Sequence, residues 1–263
     1  MRIAKKPLGH AIWFKLILTL LIFVPAYSHV PYEPMDTTSV IASVLVHPLI
    51  VSVPWLLPVS KLLLLCVVIA PFILVEKSGR IVTGYYAFML IVVGIFQNIA
   101  QTEAYGFAWL PGNTLIEFVA LGFCIYDLAK DKTRIQRQDF NRGRCWIIPL
   151  MLLSYLMPYA VSDAGAVIPA FSPSVFYNEA GVTYCMITPV ILGVMLLFSK
   201  GTHKPTLSIV SYIGFIFGLL NAVTWFSMLR ESWWMGILHL PLLIVALYGL
   251  IVAHKERRIA YSK

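Results

Sequence analysis

A carboxylic acid set inside an apolar run raises the first chemical question in this sequence. Glu117 stands in NTLIEFVALGF. Carrying such a group to membrane depth is costly unless it is paired or put to use. Asn113 precedes it by four residues, so the two share one face of a helix. Gln97, Asn98 and Gln101 occupy a similar depth in the preceding apolar run, with Glu103 just beyond them. His239 and Asn221 hold matching places in the second half of the chain, and His29 and Asp163 close two further runs. Converging on one pocket, these groups would offer a general acid, with Glu117 as the donor, Asp163 as a second acid and the amides and His239 as ligand contacts. The competing expectation is structural: Glu117 paired with an Asn, Gln or His that ties helices together.

Aromatic residues crowd the same side, among them Tyr27, Tyr32, Trp55, Tyr105, Trp109, Trp225, Trp233 and Trp234. Most fit an interfacial belt. A few, of which Trp109 and Trp225 are the candidates, would line the pocket and turn ring faces toward a cation. Other chemistries lack their motifs. The chain has no Walker loop, dinucleotide fingerprint, G-x-S-x-G elbow or H-E-x-x-H. Its six histidines lack the paired spacing of a haem bundle, and Cys66, Cys124, Cys145 and Cys185 form no C-x-x-C. No metal and no cofactor is therefore expected.

The elements that must position these residues are transmembrane helices. Of 263 residues 59% are hydrophobic and 12% charged, with a mean hydropathy of +0.82, far from the balance of a soluble domain. Hydropathy predicts eight spans, near 11–29, 57–76, 81–101, 113–129, 145–162, 182–199, 206–228 and 233–253. With the N-terminus inside, 17 of the 20 basic residues fall in inside segments, the exceptions being Lys15, Lys61 (at a span edge) and Arg230. This positive-inside pattern predicts cytoplasmic termini, in the endoplasmic reticulum or a bacterial inner membrane. The net charge of +8 then belongs to membrane flanks, not to a nucleic-acid surface. Residues 39–58, interrupted by Pro48, Pro54 and Pro58, are expected to lie on or re-enter the outer side.

The two halves resemble each other. Trp13 precedes Pro25 by twelve residues, as Trp146 precedes Pro158. Asn98 lies 28 residues before Tyr126, and Asn221 lies 27 before Tyr248. Glu117 and His239 each stand nine before those tyrosines. The fold expected is an all-α polytopic membrane bundle of about eight helices in a 4+4 parallel repeat. Residues 1–129 form the first half, 130–144 a basic cytoplasmic linker and 145–263 the second half.

In size, span number and the lack of a soluble domain, with the stretches FYNEAGVTYCMITPVILG and WMGILHLPLLIVALYGLIV, the chain resembles the integral-membrane terpene cyclases of fungi, the eight-span ascochlorin-type enzymes above all. The resemblance implies acid-initiated cyclisation of a lipophilic isoprenoid, with Glu117 and Asp163 as its acids. A small transporter or ligand-binding membrane protein, and a structural or assembly subunit, are the alternatives. The partners expected are the bilayer and a lipophilic small molecule.

Overall fold

The computed structural model describes residues 7–74, 77–161 and 167–261. Helix accounts for 74% of the structure and strand for 6%, so short strands trim a bundle that helices build. The helices are α1 (Ile12–Leu21), α2 (Thr37–Val46), α3 (Leu56–Ile73), α4 (Ser78–Phe96), α5 (Pro111–Ala129), α6 (Ile148–Leu156), α7 (Tyr184–Leu197), α8 (Lys204–Val223) and α9 (Trp233–Tyr261). Leaving α2 aside, each overlaps one of the eight expected spans.

Six helical stretches are long and apolar enough to cross a membrane: Pro34–Ser52, Leu56–Ile73, Ser78–Phe96, Pro111–Ala129, Lys204–Met228 and Arg230–Glu256. A seventh candidate is the pair Pro173–Gly181 and Tyr184–Leu197, bent by 90°. The chain is thus a multi-pass membrane protein on length and hydropathy, but eight full-length helices are not what it contains. α1, with 10 residues, covers about 15 Å of a hydrocarbon layer about 30 Å thick, and α6 has 9. Proline explains the shortfall. α6 ends where Met157 takes a left-handed conformation (φ 44°) directly before Pro158, and Pro25 follows the last turn of α1.

Three strands cap one end of the bundle. β2 (Ile99–Thr102) and β3 (Gly106–Trp109) form a hairpin between α4 and α5, turning at Gly106, whose φ of 62° suits glycine. β1 (Tyr27–Ser28), which follows α1, pairs with β3. α2 lies on this sheet. Its Val40 and Val44 are sealed against Ala26, Ala100, Ala108 and Leu110, so the segment expected to lie on the membrane packs over the hairpin end. A second hairpin, β4 (Tyr159–Val161) with β5 (Val167–Pro169), links α6 to the bent segment before α7.

One continuous core joins the two halves, from Leu18 in α1 to Ala253 in α9. α7 is its axis: among its residues only Cys185 is less than fully buried, inside a sleeve of α3, α4, α6, α8 and α9. The pairings α1–α5, α3–α4 and α4–α5 recur as α6–α9, α7–α8 and α8–α9. α7 also packs extensively on α6 and α9, and α3 shows no comparable packing on α1 or α5.

The opposite, basic end is closed by residues 130–144, which are fastened to both halves. Arg134 N donates to Gly201 O at 2.7 Å and Asn141 N to Leu197 O at 2.8 Å. Phe140, Phe72 and Phe198 form a triad of rings, with the Phe140 centroid 5.7 Å from Phe72 and 5.4 Å from Phe198, and the latter two 5.4 Å apart. Glu256 of α9 accepts from Arg144 at 2.7 Å and Lys204 at 2.6 Å.

Candidate functional site

Glu117 is 2% exposed, one turn and a half into α5. The pairing of α4 with α5 through the β2–β3 hairpin brings Asn98 against it, and Asn98 Nδ2 donates to Glu117 Oε2 at 2.9 Å. The same amide donates to Gly94 O at 3.3 Å, and Thr114 Oγ1 donates to that carbonyl at 2.8 Å. Trp109 Nε1 in turn donates to Thr114 Oγ1 at 2.9 Å. Trp109, Thr114, Asn98 and Glu117 therefore belong to one network around the last turn of α4. Gly94 makes the approach possible, because a Cβ there would stand 2.9 Å from the Phe118 ring and 3.3 Å from Glu117 Oε2.

Among the described residues no cation is ion-paired with Glu117. Its further polar neighbours are Tyr86, Tyr184 and Cys185, all within electrostatic range. Tyr86 Oη and Thr188 Oγ1 share a 3.0 Å hydrogen bond. The buried Tyr184 hydroxyl lies beside both and closes no hydrogen bond of good geometry with either. The Tyr184 ring meets Phe217 edge-on at 5.0 Å. The result is a buried carboxyl held by an amide among phenols and aromatic rings.

The remaining expected residues divide between two places. Gln97 Oε1 accepts from Tyr184 N at 2.8 Å, which fixes the start of α7 to α4. Asn113 is half-buried in the first turn of α5, and Gln101 is exposed in β2. His239 and Trp225 stack 5.8 Å apart, and His239 Nδ1 meets Met235 O at 2.8 Å. Asn221 Nδ2 donates to Phe217 O at 2.8 Å and to Cys185 Sγ at 3.4 Å. The first residues of α7, Tyr184 and Cys185, thus stand between the Glu117 network and the His239 group. Asn98 and Asn221 each bond the carbonyl four residues back, but Asn98 also bonds a carboxyl, whereas the second contact of Asn221 is Cys185 Sγ. Asp163, the expected second acid, lies outside the described residues.

Sequence reasoning missed Lys61. Expected at a span edge, it is 1% exposed near the start of α3. Its Nζ donates to Val175 O at 2.5 Å and Asn178 Oδ1 at 2.6 Å, and lies 5.2 Å from the centre of the Tyr155 ring. Asn178 Nδ2 donates to the carbonyls of Leu156 and Met157, both at 2.9 Å. Tyr159 Oη donates to Glu179. Burial, reinforced by Glu179, pushes the Tyr159 phenol well above its ordinary range, so it remains a donor. Lys61 therefore pins the bent segment Pro173–Gly181 at the hairpin end. The signal was available: an ionisable group inside PVSKLLLLCVV demands buried partners.

No group of three or more His, Cys, Asp and Glu side chains suited to a metal ion occurs among the described residues. No protein-family model, curated protein or solved structure matches this chain.

Proposed function

We propose that the protein is a membrane enzyme that cyclises a lipophilic isoprenoid at the hairpin end of the bundle, with Glu117 as the initiating acid. The observation that supports this reading best is the 2.9 Å bond from Asn98 to a carboxyl that is 2% exposed, with the phenols of Tyr86 and Tyr184 within electrostatic range. An amide orients the carboxyl without neutralising it, which leaves the acid proton for a substrate. The bond that forms is O–H or C–H, to an epoxide oxygen or an alkene carbon. The electron pair of the broken Glu117 O–H stays on the carboxylate. On an epoxide the C–O bond breaks with its pair going to oxygen, and a substrate alkene closes the ring with its π pair. The ring faces stabilise the carbocation while water is kept out, and the Glu117 carboxylate takes up the proton lost from the adjacent carbon. Asn98, Gln97, Asn113 and Trp109 on one side, and His239, Asn221 and Trp225 on the other, are assigned to substrate positioning, and Asp163 to a second acid.

The charge pattern supports cytoplasmic placement of the basic end and both termini. The recurring helix neighbours support two parallel halves, 1–129 and 145–263, joined by 130–144.

One observation favours a second reading. The 90° break between Pro173–Gly181 and α7, anchored by buried Lys61, has the form of a discontinuous helix, the device with which transporters hold solutes. Microsomes carrying the wild type decide between them. A cyclised product from a prenylated epoxide supports the enzyme. Solute counterflow without product supports transport and overturns the assignment of Glu117 as an acid catalyst.

A further inference from the structure

The basic end carries a cavity of about 400 Å³, bordered by Gln138, Phe140, Asn141, Arg142, Gly143 and Lys200. It is separate from the Glu117 network, which lies at the other end of α5. Four strong cations of this end are committed to acids. Arg80 and Arg134 pair with Asp131, and Arg144 and Lys204 pair with Glu256. Arg142 and Lys200 have no ion pair among the described residues, are exposed, and border the same cavity. The one acid in the wall, Asp139, already accepts from Gln136 N at 3.1 Å, closing the turn that precedes the cavity.

The walls are held in place. Asn141 N is bonded to Leu197 O at 2.8 Å, Gly143 N donates to Asn141 Oδ1 at 3.0 Å, and Phe140 packs against both Phe72 and Phe198 in a triad of rings. Phe72 and Phe198 stand at the ends of α3 and α7. The cavity therefore sits where the hydrocarbon-spanning helices stop, at the depth of lipid headgroups. A guanidinium and an ammonium at that depth, flanked by amide side chains, match a phosphate that accepts several charge-assisted hydrogen bonds.

We propose that this cavity binds the phosphate of an anionic lipid headgroup, with Arg142 and Lys200 as its cationic contacts. Free phosphate shares the chemistry but not the acyl chains, which would lie along α3, where Ile69, Phe72 and Ile73 are exposed.

The test uses the full chain purified in detergent, titrated with phosphatidylglycerol, phosphatidylcholine and inorganic phosphate, with bound lipid counted by native mass spectrometry. Arg142→Gln/Lys200→Gln is compared with Arg80→Gln, which removes a cation of the same end that is paired elsewhere. The expected results are preference for phosphatidylglycerol over phosphatidylcholine and affinity about thirtyfold weaker in the double variant, two basic contacts being lost. Arg80→Gln keeps wild-type affinity, and millimolar phosphate does not displace the lipid. Equal binding by wild type and double variant, or equal binding of the two lipids, overturns the site. Complete displacement by inorganic phosphate overturns the lipid as its source. A melting curve for each variant separates lost binding from lost folding.

Discussion

Asn98 holds Glu117 across the α4–α5 interface through a single 2.9 Å amide-to-carboxyl hydrogen bond, and no ion pair supplements it among the described residues. The two residues are 19 apart in sequence and meet because a four-residue β2–β3 pairing folds α5 back along α4. Replacing Asn98 with Leu removes the donor and leaves the carboxyl facing apolar neighbours. We expect a loss of about 1–2 kcal/mol in stability, measured by unfolding in mixed micelles. Asn98→Leu with unchanged stability would show that the bond contributes nothing.

Lys61 should matter more than its position in the charge pattern suggests. Lys61→Met leaves Val175 O and Asn178 Oδ1 without their donor. The expected cost is about 1–3 kcal/mol, together with faster proteolysis between Tyr159 and Gly181. In a double-mutant cycle Lys61→Met and Asn178→Ala should be strongly non-additive, because they share one contact. Additive effects would mean that Lys61 does not anchor the bent segment.

His203, just before α8, predicts a pH dependence. Burial holds its imidazole below the ordinary value of 6.5, opposed by Asp127 at 3.8 Å and reinforced by Lys132 and Lys204. The unfolded chain therefore takes up this proton at a higher pH than the folded one. Stability from neutral His203 is complete above the unfolded value and is lost as pH falls through 6.5 toward the folded value. The melting temperature of the wild type should fall between about pH 7.5 and about pH 5.5, and less so in His203→Gln. An identical slope in both proteins would assign the effect elsewhere.

Gly218 sets the approach of α8 to α9. A Cβ added there would lie 2.7 Å from Leu243 Cα and 2.8 Å from Leu243 N, backbone that cannot step aside. Gly218→Ala should cost about 1–3 kcal/mol, whereas Gly122→Ala, which meets nothing within 4 Å, should be neutral or stabilising. Thermal unfolding of the two variants checks the contrast.

Much of the bundle was legible because hydropathy reports what lipid and core share. α3, α5 and α8 lie within about five residues of their expected spans, and α9 starts at 233 as expected but runs on to Tyr261. α4 stops at Phe96 instead of reaching 101, because Ile99–Thr102 is drawn into a hairpin. The pairing of β1 with β3 spans about eighty residues and leaves no periodic trace in either segment. The shortness of α1 and α6 was written in Pro25 and Pro158, which the spacing argument used as repeat markers and not as helix stops. At the site, Asn98 and Glu117 were expected at one depth and are bonded. Asn221 and His239 were expected in the same pocket, but Asn221 reaches Cys185 of α7, and His239 is held by the Met235 carbonyl and the Trp225 ring. Lys61 stayed hidden because its partners, Val175 and Asn178, lie more than a hundred residues away.

The most direct test of the central claim is product formation by Glu117→Gln. Gln is nearly isosteric and can still pair with Asn98, but it carries no acid proton. With a prenylated epoxide as substrate and product measured by mass spectrometry, the account predicts cyclisation by the wild type. It predicts a rate lower by about 10²–10⁴-fold in Glu117→Gln, with both proteins melting at similar temperatures. Equal turnover by the two would contradict Glu117 as the acid, and no turnover by a folded wild type across a panel of such epoxides would contradict the cyclase assignment.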